Sequence, residues 1–205
     1  MRLTIKHVFW VKAAIHFVSL IFFADLVWRV LSESFGADPV EGITHYTGIA
    51  ALNTLILTLI ISPLAKVTKQ GMLVRCRRMV GLYAFFWATL HMLTYFSLDL
   101  GFNIALLGSE IVKRPYLTVG ATCWLILFAL TVTSTSRIQR SMGAKWQKLH
   151  NSVYIALILA PIHFYWSSKS ELIEPAIYFA LAISLLLIRW KTLKRIVFRP
   201  VIRRS

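Results

Sequence analysis

Apolar residues fall in six long blocks along the chain, at roughly 9–31, 47–65, 79–99, 116–135, 149–167 and 172–190. A membrane helix needs about 20 mostly apolar residues, and these blocks are of that order. The first is too long for a signal-peptide core, and no small-residue cleavage site follows it, so it is expected to be retained. The pattern predicts an all-α membrane protein: one domain over residues 1–205, built as a six-transmembrane-helix bundle. The polar connections are short. Even the longest, near 32–46 and 100–115, have no room for a catalytic domain.

Composition supports this picture. Hydrophobic residues make up 58% of the 205 and charged residues 15%. A soluble domain averages roughly 45–50% apolar and about 25% charged, so a water-soluble globule is excluded. The net charge of +15 would suggest a nucleic-acid partner in a soluble chain. Here Lys and Arg lie in groups between apolar blocks, so no nucleic acid is expected and membrane lipid is. Nineteen of the 23 basic residues fall in the N-terminus, the second and fourth loops and the C-terminal tail; four (Arg29, Lys113, Arg114 and Lys169) fall on the other side. By the positive-inside rule both termini are cytoplasmic. Cys76 and Cys123 make no disulfide framework, and the absence of CxxCH excludes c-type haem attachment by the usual motif. There is no GxGxxG, P-loop or HExxH.

Ionisable groups within membrane helices are functional candidates. Here they are His16, Asp25, Arg29, His91, Asp99, His150 and His163. Asp25 and Arg29 are four residues apart and suit a pair on one helix face; Asp99 suits the interface. His91 is 12 residues into the third block and His163 is 14 into the fifth, depths of about 18 and 21 Å from the cytoplasmic boundary. Two level imidazoles on two parallel helices suit the opposite faces of one haem. The competing reading is that each histidine bonds a neighbouring helix. Zinc or copper would need a third and fourth ligand, and none is evident at that level.

His150 would lie about 20 Å below His163, where a second haem would sit. On one ideal helix, however, the two side chains are about 140° apart, with Pro161 between them as a source of a kink. The level position on the third helix carries Arg77, followed by Arg78. Arginine stays protonated and is a poor iron ligand, but it suits a haem propionate or a flavin phosphate. His16 is a reserve ligand. His7 and His45 lie outside the hydrocarbon. A small proton or ion transporter using Asp25, Arg29 and His16 is the rival reading; no internal repeat is evident to support it. An intramembrane hydrolase lacks a nucleophile–base pair.

Histidines in RRMVGLYAFFWATLHMLTYF (77–96) and WQKLHNSVYIALILAPIHFYW (146–166) resemble those of the ferric-reductase-like transmembrane domain shared with NADPH oxidases. That family carries two histidines on each of helices 3 and 5. This chain keeps both on helix 5 but has Arg77 fourteen residues before His91. With GADPVEGITHYTG (36–48) and RPYLTVG (114–120), the whole chain is similar to the haem-binding membrane subunits of bacterial periplasmic methionine-sulfoxide reductase systems. That resemblance implies residence in the bacterial inner membrane, haem b (one, or two if His150 finds a partner) and FMN. It also implies transfer of electrons to a periplasmic molybdopterin-containing reductase subunit that holds the substrate site. The donor would be a cytoplasmic flavin reductase or a quinone. Arg75, Arg77, Arg78, Arg137 and Arg140 would attract a flavin phosphate or an acidic donor.

Overall fold

The computed structural model describes residues 4–168, 172–190 and 193–194, which are helical with no strand among them. Several basic residues used above for topology (Arg2, Lys169, Lys191 and those from Arg195 onward) lie outside the described residues. The apolar blocks become α1 (Ile5–Leu31), α2 (Pro39–Val67), α3 (Arg77–Thr94), α5 (Pro115–Val132), α8 (Val153–Ser167) and α9 (Ile173–Ile188). Between them lie three shorter helices: α4 (Ile104–Lys113), α6 (Ser136–Met142) and α7 (Ala144–His150). A 3₁₀ segment, Gly71–Cys76, leads into α3, and a π-helical turn, Tyr95–Asp99, extends it.

Among the described residues, four stretches are long and apolar enough to cross a membrane: α1, α2, Gly71–Asp99 and α5. The apolar α9 has 16 residues and α8 has 15, so each reaches about 23 Å against a hydrocarbon core of about 30 Å. On α1, Trp10 and Trp28 are both exposed. They are about 27 Å apart along the axis, the spacing of two interfacial aromatic belts.

Two boundaries differ from the sequence expectation, each for a local reason. Helix α2 starts at Pro39 rather than near 47. Asp38 caps it by accepting from the Glu41 amide at 3.0 Å, and proline at the first position is already set for a helix. The block 149–167 is broken. Asn151 accepts from Gln147 Nε2 at 2.9 Å and the Ser152 hydroxyl donates to the Leu149 carbonyl at 2.6 Å. The Ser152 bond to a backbone carbonyl competes with the helical ladder, and α7 ends at His150 before α8 begins at Val153. His150 and His163 are therefore on different helices, and the 140° offset of a single ideal helix does not apply.

The core joins α2, α3, α5, α8 and α9. Leu52, Leu55, Ile56 and Leu59 meet Ala84, Cys123, Leu127, Val153, Ala156, Leu157, Ala182 and Leu185. Fully buried Ala84 and Ala156 let backbones approach closely, as small residues do between membrane helices. Four threonine hydroxyls in these helices are satisfied internally: Thr54, Thr58, Thr89 and Thr122 each donate to the carbonyl four residues earlier. Proline 63 has no amide to give the Leu59 carbonyl. Arg189, just past α9, fills that place: its Nη2 donates to Leu59 O, and its Nη1 donates to the Tyr154 hydroxyl at 3.0 Å. Helix α1 stands apart, with most of its large apolar side chains exposed. A cavity of about 1270 Å³ separates it from α2 and α3, lined by Val18, Phe22, Tyr46, Ile49, Tyr83 and Trp87 among others.

Candidate functional site

His91 and His163 lie near the same end of the bundle, three residues before the end of α3 and four before the end of α8. Their ring centroids are 5.9 Å apart with the planes at 81°. Each ring is fixed by one hydrogen bond to a backbone carbonyl of a different helix. His91 Nδ1 donates to Thr44 O at 2.9 Å, and His163 Nδ1 donates to Tyr116 O at 2.8 Å. A proton on Nδ1 leaves Nε2 as the basic nitrogen, and neither Nε2 has a hydrogen-bond partner among the described residues.

This geometry can be tested against a metal. A metal–imidazole nitrogen bond is about 2.0–2.1 Å, and two such nitrogens on opposite sides of one ion place the ring centroids about 6.3 Å apart. The observed separation is close to that. No group of three or more His, Cys, Asp or Glu occurs among the described residues, so an ion relying on protein ligands alone is poorly served here. A macrocycle that brings its own four nitrogens needs only the two histidines. The Thr44 hydroxyl, beside the carbonyl that holds His91, is buried without a partner. The residues present fit a bis-imidazole haem.

The other candidates are dispersed. His150 stacks on Trp146, centroids 3.8 Å apart, and shares its Nδ1 with the Trp146 carbonyl at 3.2 Å. Arg77 is within electrostatic reach of His150, Arg189 and Tyr154, whereas Arg78 is exposed. His16 is paired with the Tyr83 hydroxyl at 2.6 Å on the far side of α3, away from the His91–His163 pair. Asp25 is held by Arg29 Nε at 2.9 Å and the Tyr46 hydroxyl at 3.0 Å. That closed network and the separate His16–Tyr83 bond do not form one shared path. His45 pairs with Glu174 at 3.0 Å.

Charge divides the two ends. The ion pairs among the described residues are Asp25–Arg29, His45–Glu174 and Glu110–Arg114, all at the end that carries His91 and His163. At the opposite end, Arg77 and Arg189 face each other's charge with no carboxylate paired to either, and the Arg189 Nε is buried without a partner. Arg189 was visible in the sequence only as one more basic residue after the last helix. Its role depends on Pro63, 126 positions earlier. The carbonyls of Thr44 and Tyr116 are backbone atoms and leave no residue-type signal.

The described residues form an all-helical bundle that brings two imidazoles within 5.9 Å near one edge. This chain belongs to the family of ferric reductase like transmembrane components, whose family model matches residues 47–161. The match takes in α2 to α7 and ends within α8, two residues before His163. Membrane electron transfer is the function that this domain indicates.

Proposed function

We propose that the chain carries electrons across the bacterial inner membrane through one haem b held between His91 and His163. It delivers them to a periplasmic molybdopterin-containing reductase that repairs methionine sulfoxide, as the MsrQ type of membrane subunit does. The observation that carries this reading is the pair of Nδ1–carbonyl bonds, which orient both rings with Nε2 unspent at a separation suited to one iron. The haem supplies a one-electron carrier of adjustable potential. The chain's own part is to fix the imidazoles and to raise ligand basicity through Thr44 O and Tyr116 O.

In this reading all six apolar helices cross the membrane, both termini are cytoplasmic and Arg77 and Arg189 lie at the inner end. Unpaired guanidinium groups there suit an anionic group: an FMN phosphate, or a propionate of an inner haem ligated by His150. The substrate-reducing site belongs to the partner. A soluble flavin reductase is one donor that fits the basic inner face. The cavity beside α1 favours a second: it is apolar, and Tyr83 with its His16 partner sits on its wall, so a lipid-borne quinone has a place to approach.

An oxidised-minus-reduced optical spectrum of the purified chain, with haem counted per polypeptide, tests the proposal. One low-spin haem b per chain is expected. A chain purified from haem-replete cells without any such signal would refute it. Reduction by NADH only after a flavin reductase is added supports the soluble donor. Reduction by a quinol alone supports the cavity.

A further inference from the structure

Two glycines occupy the places where these imidazoles touch the helix opposite. A Cβ built on Gly48 would lie 3.1 Å from both Nδ1 and Cε1 of His91. One built on Gly120 would lie 2.8 Å from the same atoms of His163. Optimal carbon contacts are about 3.5–4.0 Å, so a methyl group at either position has to displace a ring. Neither glycine is present for backbone freedom. Both lie within helices, in α2 and α5, and neither has a positive φ. Glycine in a helix interior costs about 1 kcal/mol relative to alanine, and what these two provide in return is open space.

The two cradles are built alike. Each glycine follows the accepting carbonyl by four residues, Thr44 before Gly48 and Tyr116 before Gly120. Each histidine follows its carbonyl by 47 residues and its glycine by 43. A shift of 72 residues carries one set onto the other. It also carries Leu55 onto Leu127 and Ala84 onto Ala156, and all four of these are buried. The pairs α2 with α3 and α5 with α8 thus share one spacing of contact positions at low residue identity. It is hidden because the positions in common are contact points separated by lipid-facing residues.

We propose that Gly48 and Gly120 are positioning residues for the redox centre, each admitting its imidazole against the helix so that the Nδ1 proton reaches the carbonyl one turn earlier. Gly120 is the tighter of the two. The inference rests on the haem reading above and adds what sets the ligand geometry. Loss of such an orienting arrangement typically weakens metal affinity by about 10–100-fold.

The test is Gly120→Ala, Gly48→Ala and a control, Gly81→Ala, in the full-length chain. A Cβ at Gly81 meets Thr58 at an ordinary 3.5 Å. Haem per chain, the electron paramagnetic resonance g-values and the midpoint potential are read, with helicity by circular dichroism as the folding check. Gly120→Ala should weaken haem retention about tenfold or more and give a shifted or high-spin signal. Gly48→Ala should show a smaller change of the same kind, and Gly81→Ala none. If wild type and Gly81→Ala lack the low-spin signal, the haem reading falls and this one with it. If they show it and folded Gly120→Ala has the same g-values, potential and haem content, this inference alone is overturned. Should Gly120→Ala fail to accumulate, Gly48→Ala decides, and an unaltered signal there overturns the proposal.

Discussion

The two ends of the bundle solve the same problem in opposite ways. At the end with His91 and His163 three ion pairs form, and the rings are fixed by carbonyls of two other helices. At the other end, the counterpart of His150 on α3 is an arginine, and two guanidinium groups stand without acids. Two rings held by carbonyls, each with Nε2 free of a hydrogen-bond partner among the described residues, suit a resident metal group. Unpaired cations suit an anion that arrives from outside. In the proposed function, one family scaffold would provide a fixed carrier at one edge and a receptive surface at the other.

The comparison can be broken at its strongest point first. His91→Ala or His163→Ala should abolish the low-spin haem signal, with haem content falling about tenfold or more. His150→Ala should leave that signal in place. Equal losses in all three variants would erase the distinction between the ends. Next comes anion binding. Arg77→Ala should weaken FMN binding by about tenfold or more, the loss of one hydrogen bond to a charged group, and added salt should weaken it further. Arg78→Ala, at an exposed position, should do less. Equilibrium titration of flavin fluorescence measures both.

A smaller effect separates structure from ligand binding at the inner end. Arg189→Ala should cost about 2 kcal/mol, since it leaves the Leu59 carbonyl without a donor. In a Pro63→Ala background the restored amide serves that carbonyl, and the cost of Arg189→Ala should fall by about 1 kcal/mol. Unfolding in detergent with both single variants and the double variant reads this coupling. An absence of coupling would mean that Arg189 acts through Tyr154 alone. Smallest is Asp25→Asn. The Asp25–Arg29 pair is well exposed, and its removal should change stability by about 0.5 kcal/mol with no change in the haem spectrum.

Much of this was legible in the chain. Block length gave the helices, because hydrocarbon thickness sets how many apolar residues a span requires. Matched depth singled out His91 and His163, because helix rise converts residue count to distance. What escaped depended on atoms that leave no pattern. The turn at Asn151 and Ser152 lies inside an apolar block and includes a Ser152 hydroxyl bond to the Leu149 carbonyl, so His150 ends α7 rather than standing within α8. The sequence suggests Arg77 and Arg78 together as partners of an anion, whereas in the structure Arg77 faces the charge of Arg189. That pairing needs α9 folded against α2. The glycine spacing was present in the sequence all along, but only contact with the imidazoles gives it meaning.

The 72-residue shift between the two histidine cradles also has a consequence in time. The ribosome completes the α2–α3 half before α5 exists. At about 5–20 residues per second, His91 precedes His163 by about 4–14 s. Through that interval the first imidazole has its carbonyl and its glycine but no second ligand. A group captured then would be held from one side only, open to exchange and to wrong partners. If the proposed haem is bound, stable loading belongs after the fifth apolar helix has inserted, with the first half-site waiting in the bilayer until then.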